Sequence, residues 1–180
     1  DLMKNTKSVV DPRMRFYFYR QVSDVPVSEQ DLRCSVEPIP AHYAAGNHVY
    51  CRIDDNQGYW GRDHGNDEGL PPDGTKKTAY GLYPVGGRFD DNTFSQTDLN
   101  LGAKGNGITP IFLSSTIDFL RAEASLYGGS GDAKAFVQAG IQKSFSKVRA
   151  FISRDVDANT SFVPSPTVDV TYLNEVGTLM

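Results

Sequence analysis

Apolar residues recur at a clear helical period in the last two-fifths of the chain. Leu113, Ile117, Leu120, Ala124 and Tyr127 follow one another at steps of four, three, four and three, the spacing of one face of an α-helix. Thr109 before Pro110 supplies an N-cap and a proline at the first helical position, and Gly128-Gly129 stops the segment. Asp132 caps a second segment whose stripe is Val137, Ile141, Phe145, Val148 and Ile152. The pattern predicts helices over 110–127 and 132–153, paired as an antiparallel hairpin across a Gly-Gly-Ser-Gly turn. Pro164 and Pro166 then break the chain before a third helical segment, 167–180, marked by Tyr172, Val176 and Met180.

The rest of the chain reads differently. Residues 1–21 combine a helical remnant over Asp1 to Val10, ended at Asp11-Pro12, with the aromatic run Phe16-Tyr17-Phe18-Tyr19, which favours a strand. Residues 22–109 hold 12 of the 17 glycines and 6 of the 10 prolines, without helical periodicity. A stretch of that length wraps a scaffold or carries the function. Within it, Tyr80-Gly81-Leu82-Tyr83-Pro84 reads as a turn that docks on the helices. The fold class expected is mainly α: a tetratricopeptide-type helical hairpin plus a long loop-rich region with short β segments, all within one unit, 1–180. One such hairpin cannot bury its face alone. Apolar surface around Leu120, Val137 and Ile152 is therefore expected to await a partner.

Composition narrows the classes. With 180 residues, 39% hydrophobic and 11% aromatic, and a mean hydropathy of −0.41, the chain can bury a real core. Its net charge of −4 and pI near 5.3 argue against nucleic acid as a partner. No run of 18 apolar residues exists to span a bilayer. The start at Asp1 and the end inside an apolar-periodic segment read as a piece excised from a longer protein.

The densest candidate chemistry lies over 54–69. The only tryptophan, Trp60, sits beside Tyr59 among Arg62, Asp63, His64, Asn66, Asp67 and Glu68, with glycines between. Sugar recognition needs this mixture, because an aromatic face takes the C–H side of a ring while planar polar groups take its hydroxyls. A tryptophan anchoring a loop fits the same composition. Asp63 with Asp67 or Glu68 would supply two carboxylates for glycoside hydrolysis, though nothing fixes their separation. Asp54, Asp55 and Asn56 offer oxygens suited to calcium, in a spacing unlike an EF-hand. Cys34 and Cys51, with His42, His48 and His64, fit no standard zinc spacing. A disulfide and two free thiols remain equally open.

Several stretches in order resemble a known family: Asp11-Pro12-Arg13 before the aromatic run, Gly58-Tyr59-Trp60-Gly61-Arg62-Asp63-His64, Pro71-Pro72-Asp73-Gly74, Phe119-Leu120-Arg121-Ala122-Glu123-Ala124, and Ala139-Gly140-Ile141-Gln142-Lys143-Ser144. Together they resemble the middle-to-late part of the SusD/RagB family of nutrient-binding outer-membrane lipoproteins of Bacteroidetes. The resemblance implies a helical scaffold with tetratricopeptide-like hairpins, lipid-anchored on the outer face of the outer membrane. It implies non-catalytic capture of oligosaccharides, polysaccharides or peptides and delivery to a SusC-like TonB-dependent transporter. No cofactor is implied. Ligand contacts are then expected from Tyr59 and Trp60, with Arg62, Asp63 and Asn66 beside them, while Arg121 and Glu123 would be structural. Two alternatives remain: a glycan-acting enzyme using Asp63 and Glu68, and a protein-interaction module without a small ligand.

Overall fold

Where the apolar period is strongest, helices form. The computed structural model describes residues 7–20, 38–47, 52–53, 59–61, 78–90, 107–154 and 156–180, and among them the chain is mainly helical. Short elements come first: α1 (Met14–Tyr17), β1 (Phe18–Tyr19), α2 (Ala41–Ala45), β2 (Arg52–Ile53), β3 (Trp60–Gly61) and β4 (Ala79–Tyr80). Three long helices follow: α3 (Ser114–Leu126), α4 (Ala133–Ala150) and α5 (Pro166–Leu179), with 3₁₀ turns at Ile152–Arg154 and Thr160–Phe162 between the last two. None of these helices is long and apolar enough to cross a membrane. β1 pairs antiparallel with β4, Phe18 opposite Tyr80, and β2 with β3, Arg52 opposite Gly61.

α3 and α4 pack as the expected hairpin. Asp132 caps α4, its carboxylate accepting the Ala135 N–H at 3.1 Å. Gly128 and Gly131 take φ of +94° and +117° in the connection, where a side chain would be strained. The start of α3 differs from the expectation, at Ser114 rather than Pro110, and Thr109 caps nothing. The reason lies just upstream: the Ile108 N–H donates to the Tyr83 carbonyl at 2.7 Å, which ties this stretch to the turn over 81–90 instead of into a helix. α5 starts one residue earlier than expected. Ser165 accepts the Thr167 N–H at 3.3 Å and Pro166 occupies the first turn.

The face that α3 turns inward is not its apolar stripe. Ser115, Asp118 and Ala122 are buried, while Ile117, Leu120 and Tyr127 are 46%, 51% and 86% exposed. The two series are offset by two residues, roughly 200° around the helix at 3.6 residues per turn, so burying one exposes the other. The inward face of α3 carries Asp118, whose Oδ2 lies 2.5 Å from Lys143 Nζ on α4. Phe119 lies over Gly140 of α4, where an added Cβ would come within 2.7 Å of its ring. The expected apolar exposure thus holds at Leu120. Val137 and Ile152 differ, since both are half-buried against this chain's own cores.

α4 serves two cores with its single stripe. Ile141 and Phe145 pack on Tyr172 of α5, joined by Val9, Val137, Leu173 and Val176, and the Phe145 and Tyr172 rings meet edge-on at 5.6 Å. Further along, Val148 and Phe151 pack on Phe16, Val85 and Phe89. The turn containing Tyr83 and Pro84 therefore docks on the helices as expected. Arg149 fixes α5 against α4, with Nε and Nη2 on the Asp169 carboxylate at 2.5 and 2.7 Å and Nη1 on the Pro164 carbonyl at 3.0 Å.

The N-terminal zone corrects two expectations. Residues 7–10 are bends rather than helix. Both the Ser8 N–H and hydroxyl bond the Glu175 carboxylate of α5, so this stretch is tied to a neighbour and not to its own preceding turn. The aromatic run is only half a strand, because Met14–Tyr17 forms a helical turn with Phe16 and Tyr17 N–H groups on the Arg13 carbonyl. That turn sends Phe16 inward, fully buried and edge-on to Phe89 at 5.1 Å.

Candidate functional site

Between the N-terminal segment and the start of α5 lies a cleft of about 490 Å³. Val9, Val10, Pro12 and Met14 form one side, Pro164 and Val168 the other, and the polar wall is made by Asp11, Arg15, Arg20 and Tyr59. An apolar floor with a few convergent planar polar groups is the usual make-up of a small-molecule site.

Two carboxylates organise the polar wall. Asp11, 1% exposed, accepts the Arg13 backbone N–H and Nε at 2.9 Å each, and pairs with Nη2 as well. The same guanidinium donates to Ser144 Oγ at 2.9 Å and lies over the Phe145 ring, 5.0 Å from its centre. Burial works against the Arg13 charge, but the hydrogen bond and charge of Asp11 outweigh it and hold its pKa above the ordinary arginine value.

The second carboxylate, Asp90, is fully buried. Its Oδ2 accepts from Arg20 Nε and from the Tyr59 hydroxyl, the latter at 2.6 Å. Its backbone carbonyl accepts from Arg15 Nη1 at 2.6 Å. Its Oδ1 is buried with no hydrogen-bond partner among the described residues. The Arg20 guanidinium stacks on the Tyr59 ring, 4.9 Å from the centre. Burial first, and then the Asp90 charge, push the Tyr59 hydroxyl well above the usual tyrosine range. It donates at neutral pH.

The backbone carrying Asp90 is unusual. Arg88, Phe89 and Asp90 have φ of 41°, 71° and 45°, three consecutive non-glycine residues in the left-handed region, where each costs about 1–2 kcal/mol. Packing holds them there. The Arg88 N–H donates to the Val85 carbonyl at 3.0 Å and the Asp90 N–H to Gly87 at 2.7 Å. Gly87 itself donates to the Phe16 carbonyl at 2.8 Å, so close to β1 that an added Cβ would meet the Phe18 oxygen at 2.3 Å.

Of the residues the sequence singled out, Tyr59 stands in the cleft wall. Trp60 is placed by its backbone in β3, next to Tyr59. Arg62, Asp63, Asn66, Asp67 and Glu68 lie outside the described residues, as do Asp54, Asp55, Asn56, Cys34, Cys51, His48 and His64. His42 sits on α2 with its ring edge-on to Tyr43. Among the described residues no group of three or more His, Cys, Asp or Glu side chains is arranged to hold a metal ion. Arg121 and Glu123 are exposed on α3, Arg121 lying 4.0 Å over the Phe136 ring. The sequence reading missed Asp11, Arg15, Arg20 and Asp90. Its one available signal was the pair of arginines bracketing the aromatic run. The chain matches no protein-family model, no curated protein and no solved structure.

Proposed function

We propose that this chain captures glycans without catalysing their cleavage, as a SusD-like component at the outer face of the outer membrane, and passes them to a TonB-dependent transporter. One observation carries the reading. The cleft joins an apolar floor to Arg15, Arg20, Asp11 and the expected site residue Tyr59. Sugars present both C–H faces and paired hydroxyls, and such a wall can satisfy both. The α3–α4 hairpin agrees with the tetratricopeptide-like scaffold that the sequence resemblance implies.

Calorimetric titration with maltohexaose, cellohexaose, xylohexaose and mannohexaose tests the proposal. At least one should bind, and Trp60→Ala should weaken it by roughly 10- to 200-fold, the scale of one lost stacking or apolar contact. No product should appear on prolonged incubation. Absence of binding across the set would reject glycan capture, and glycan turnover abolished by Asp63→Asn would replace it with the hydrolase reading. A second reading, as a protein-interaction module, draws on the outward stripe Ile117, Leu120 and Tyr127. It gains if Leu120→Lys abolishes self-association in sedimentation while no glycan binds.

A further inference from the structure

We infer that Asp90 is the positioning residue of this cleft, fixing the Tyr59 ring and the Arg20 guanidinium as one rigid recognition wall. The inference deepens the glycan reading and rests on it for the ligand. The geometry, however, stands by itself. Asp90 reaches residues 31 and 70 positions away in sequence and gathers them on a single oxygen. Its carbonyl holds Arg15 as well, so three of the four polar groups of the wall are tied to one residue.

Two features of Asp90 are unfavourable for folding and make no sense as packing alone. Its carboxylate is fully buried with Oδ1 left without a partner among the described residues, an arrangement an apolar side chain of similar size would avoid. It sits at the end of three consecutive left-handed residues, and strain of this kind concentrates where a side chain must be aimed. Phe89 anchors the turn by packing on Phe16, which accounts for its own burial. Packing of Phe89 does not require a charged residue after it. What the charge accomplishes is the orientation of Tyr59 and Arg20, with the guanidinium carbon 4.9 Å from the centre of the ring. A cation beside an aromatic ring, both pinned by one carboxylate, holds the two groups in fixed relation. That suits a ligand with adjacent hydroxyls on a rigid ring, and a preordered wall binds it without an ordering cost.

The test combines a ligand-free reporter with binding. In protein labelled with ¹³C at tyrosine Cζ, the Tyr59 signal is assigned by its loss in Tyr59→Phe. On raising the pH, it should stay protonated past the ordinary tyrosine value of about 10. In Asp90→Asn, which keeps the shape and removes the charge, Tyr59 should ionise at least one pH unit lower, and the affinity for whichever of the four hexaoses binds most tightly should fall at least 10-fold. A protein with its circular dichroism intact but Tyr59 titration unchanged in Asp90→Asn would overturn the assignment. So would a wild-type Tyr59 that ionises near the ordinary tyrosine value of about 10, and that measurement decides the matter if Asp90→Asn does not fold. If none of the hexaoses binds wild type, glycan capture fails while the titration still judges Asp90.

Discussion

Replacing Arg13 should be among the most damaging single changes outside the apolar cores. Arg13→Met keeps most of the side-chain length but leaves Asp11, 1% exposed, as a buried carboxylate whose remaining partner is the residue-13 N–H. Removing one member of a buried pair costs about 3–5 kcal/mol. Arg13 is itself 17% exposed, so water softens the loss and places it at the lower end, about 3 kcal/mol. The contacts to Ser144 and to the Phe145 and Tyr172 rings disappear as well, and these tie the N-terminal segment to α4 and α5. Urea unfolding followed by circular dichroism is the assay. With a slope of about 2 kcal/mol/M, the midpoint should fall by about 1.5 M. The double variant Asp11→Asn/Arg13→Met should be more stable than Arg13→Met alone, because it no longer buries an uncompensated charge. Arg13→Lys should fall between, keeping the charge but losing the fork. An Arg13→Met protein within 1 kcal/mol of wild type, or a double variant that sums the single losses, would refute the reasoning.

Two further outcomes follow from burial and ionisation. Tyr83 is pushed up to about 12 by burial, then by the neighbouring Tyr17, whose ring lies 5.7 Å away, against about 10 in an unfolded chain. The folded state then holds a proton that the unfolded state gives up, so this contribution is intact below pH 10 and is lost as the pH rises toward 12; Tyr83→Phe should flatten the stability curve in that window, read by urea midpoints at successive pH values. Leu120→Lys, on the exposed stripe of α3, should change stability by less than about 0.5 kcal/mol, whereas Phe145→Ala in the core against Tyr172 should cost about 3–5 kcal/mol, a contrast that thermal unfolding would show directly.

The helices were legible because their signals are local. Asp132 and Gly128 act on backbone groups within three or four residues, and the stripe from Val137 to Val148 lies on one continuous element, whereas Pro166, read as a break, occupies the first turn of α5. The facing of α3 was not legible in the same way. Periodicity reveals which residues share a side but not which side the neighbouring helix takes, and here the side it takes carries Ser115, Asp118 and Ala122. The start of α3 was misplaced by a hydrogen bond from Ile108 to Tyr83, 25 residues earlier. The site was half legible. Tyr59 stood out beside Trp60 by its aromatic neighbours and glycines. Arg20 and Asp90 did not, since their meeting depends on a left-handed turn over Arg88-Phe89-Asp90 that Arg and Phe, which seldom adopt positive φ, do not advertise.

The cleft owes its shape to directional pairs more than to apolar packing. Hydrophobic burial draws segments together without fixing their mutual angle. Three arginine–aspartate pairs supply the missing directions. Arg13 holds Asp11 on the near wall while gripping Ser144 of α4. Arg149, farther along α4, holds Asp169 beside Val168 and also the Pro164 carbonyl, and these two residues form the far wall. Arg20, with Asp90, sets the polar end. Because Arg13 and Arg149 hold the walls from the same rigid helix, with Arg149 itself on α4 and Arg13 bonded to it, the width of the cleft is fixed by bidentate geometry. A substitution of Arg149 would then alter the site from its far side without touching any residue of the polar wall.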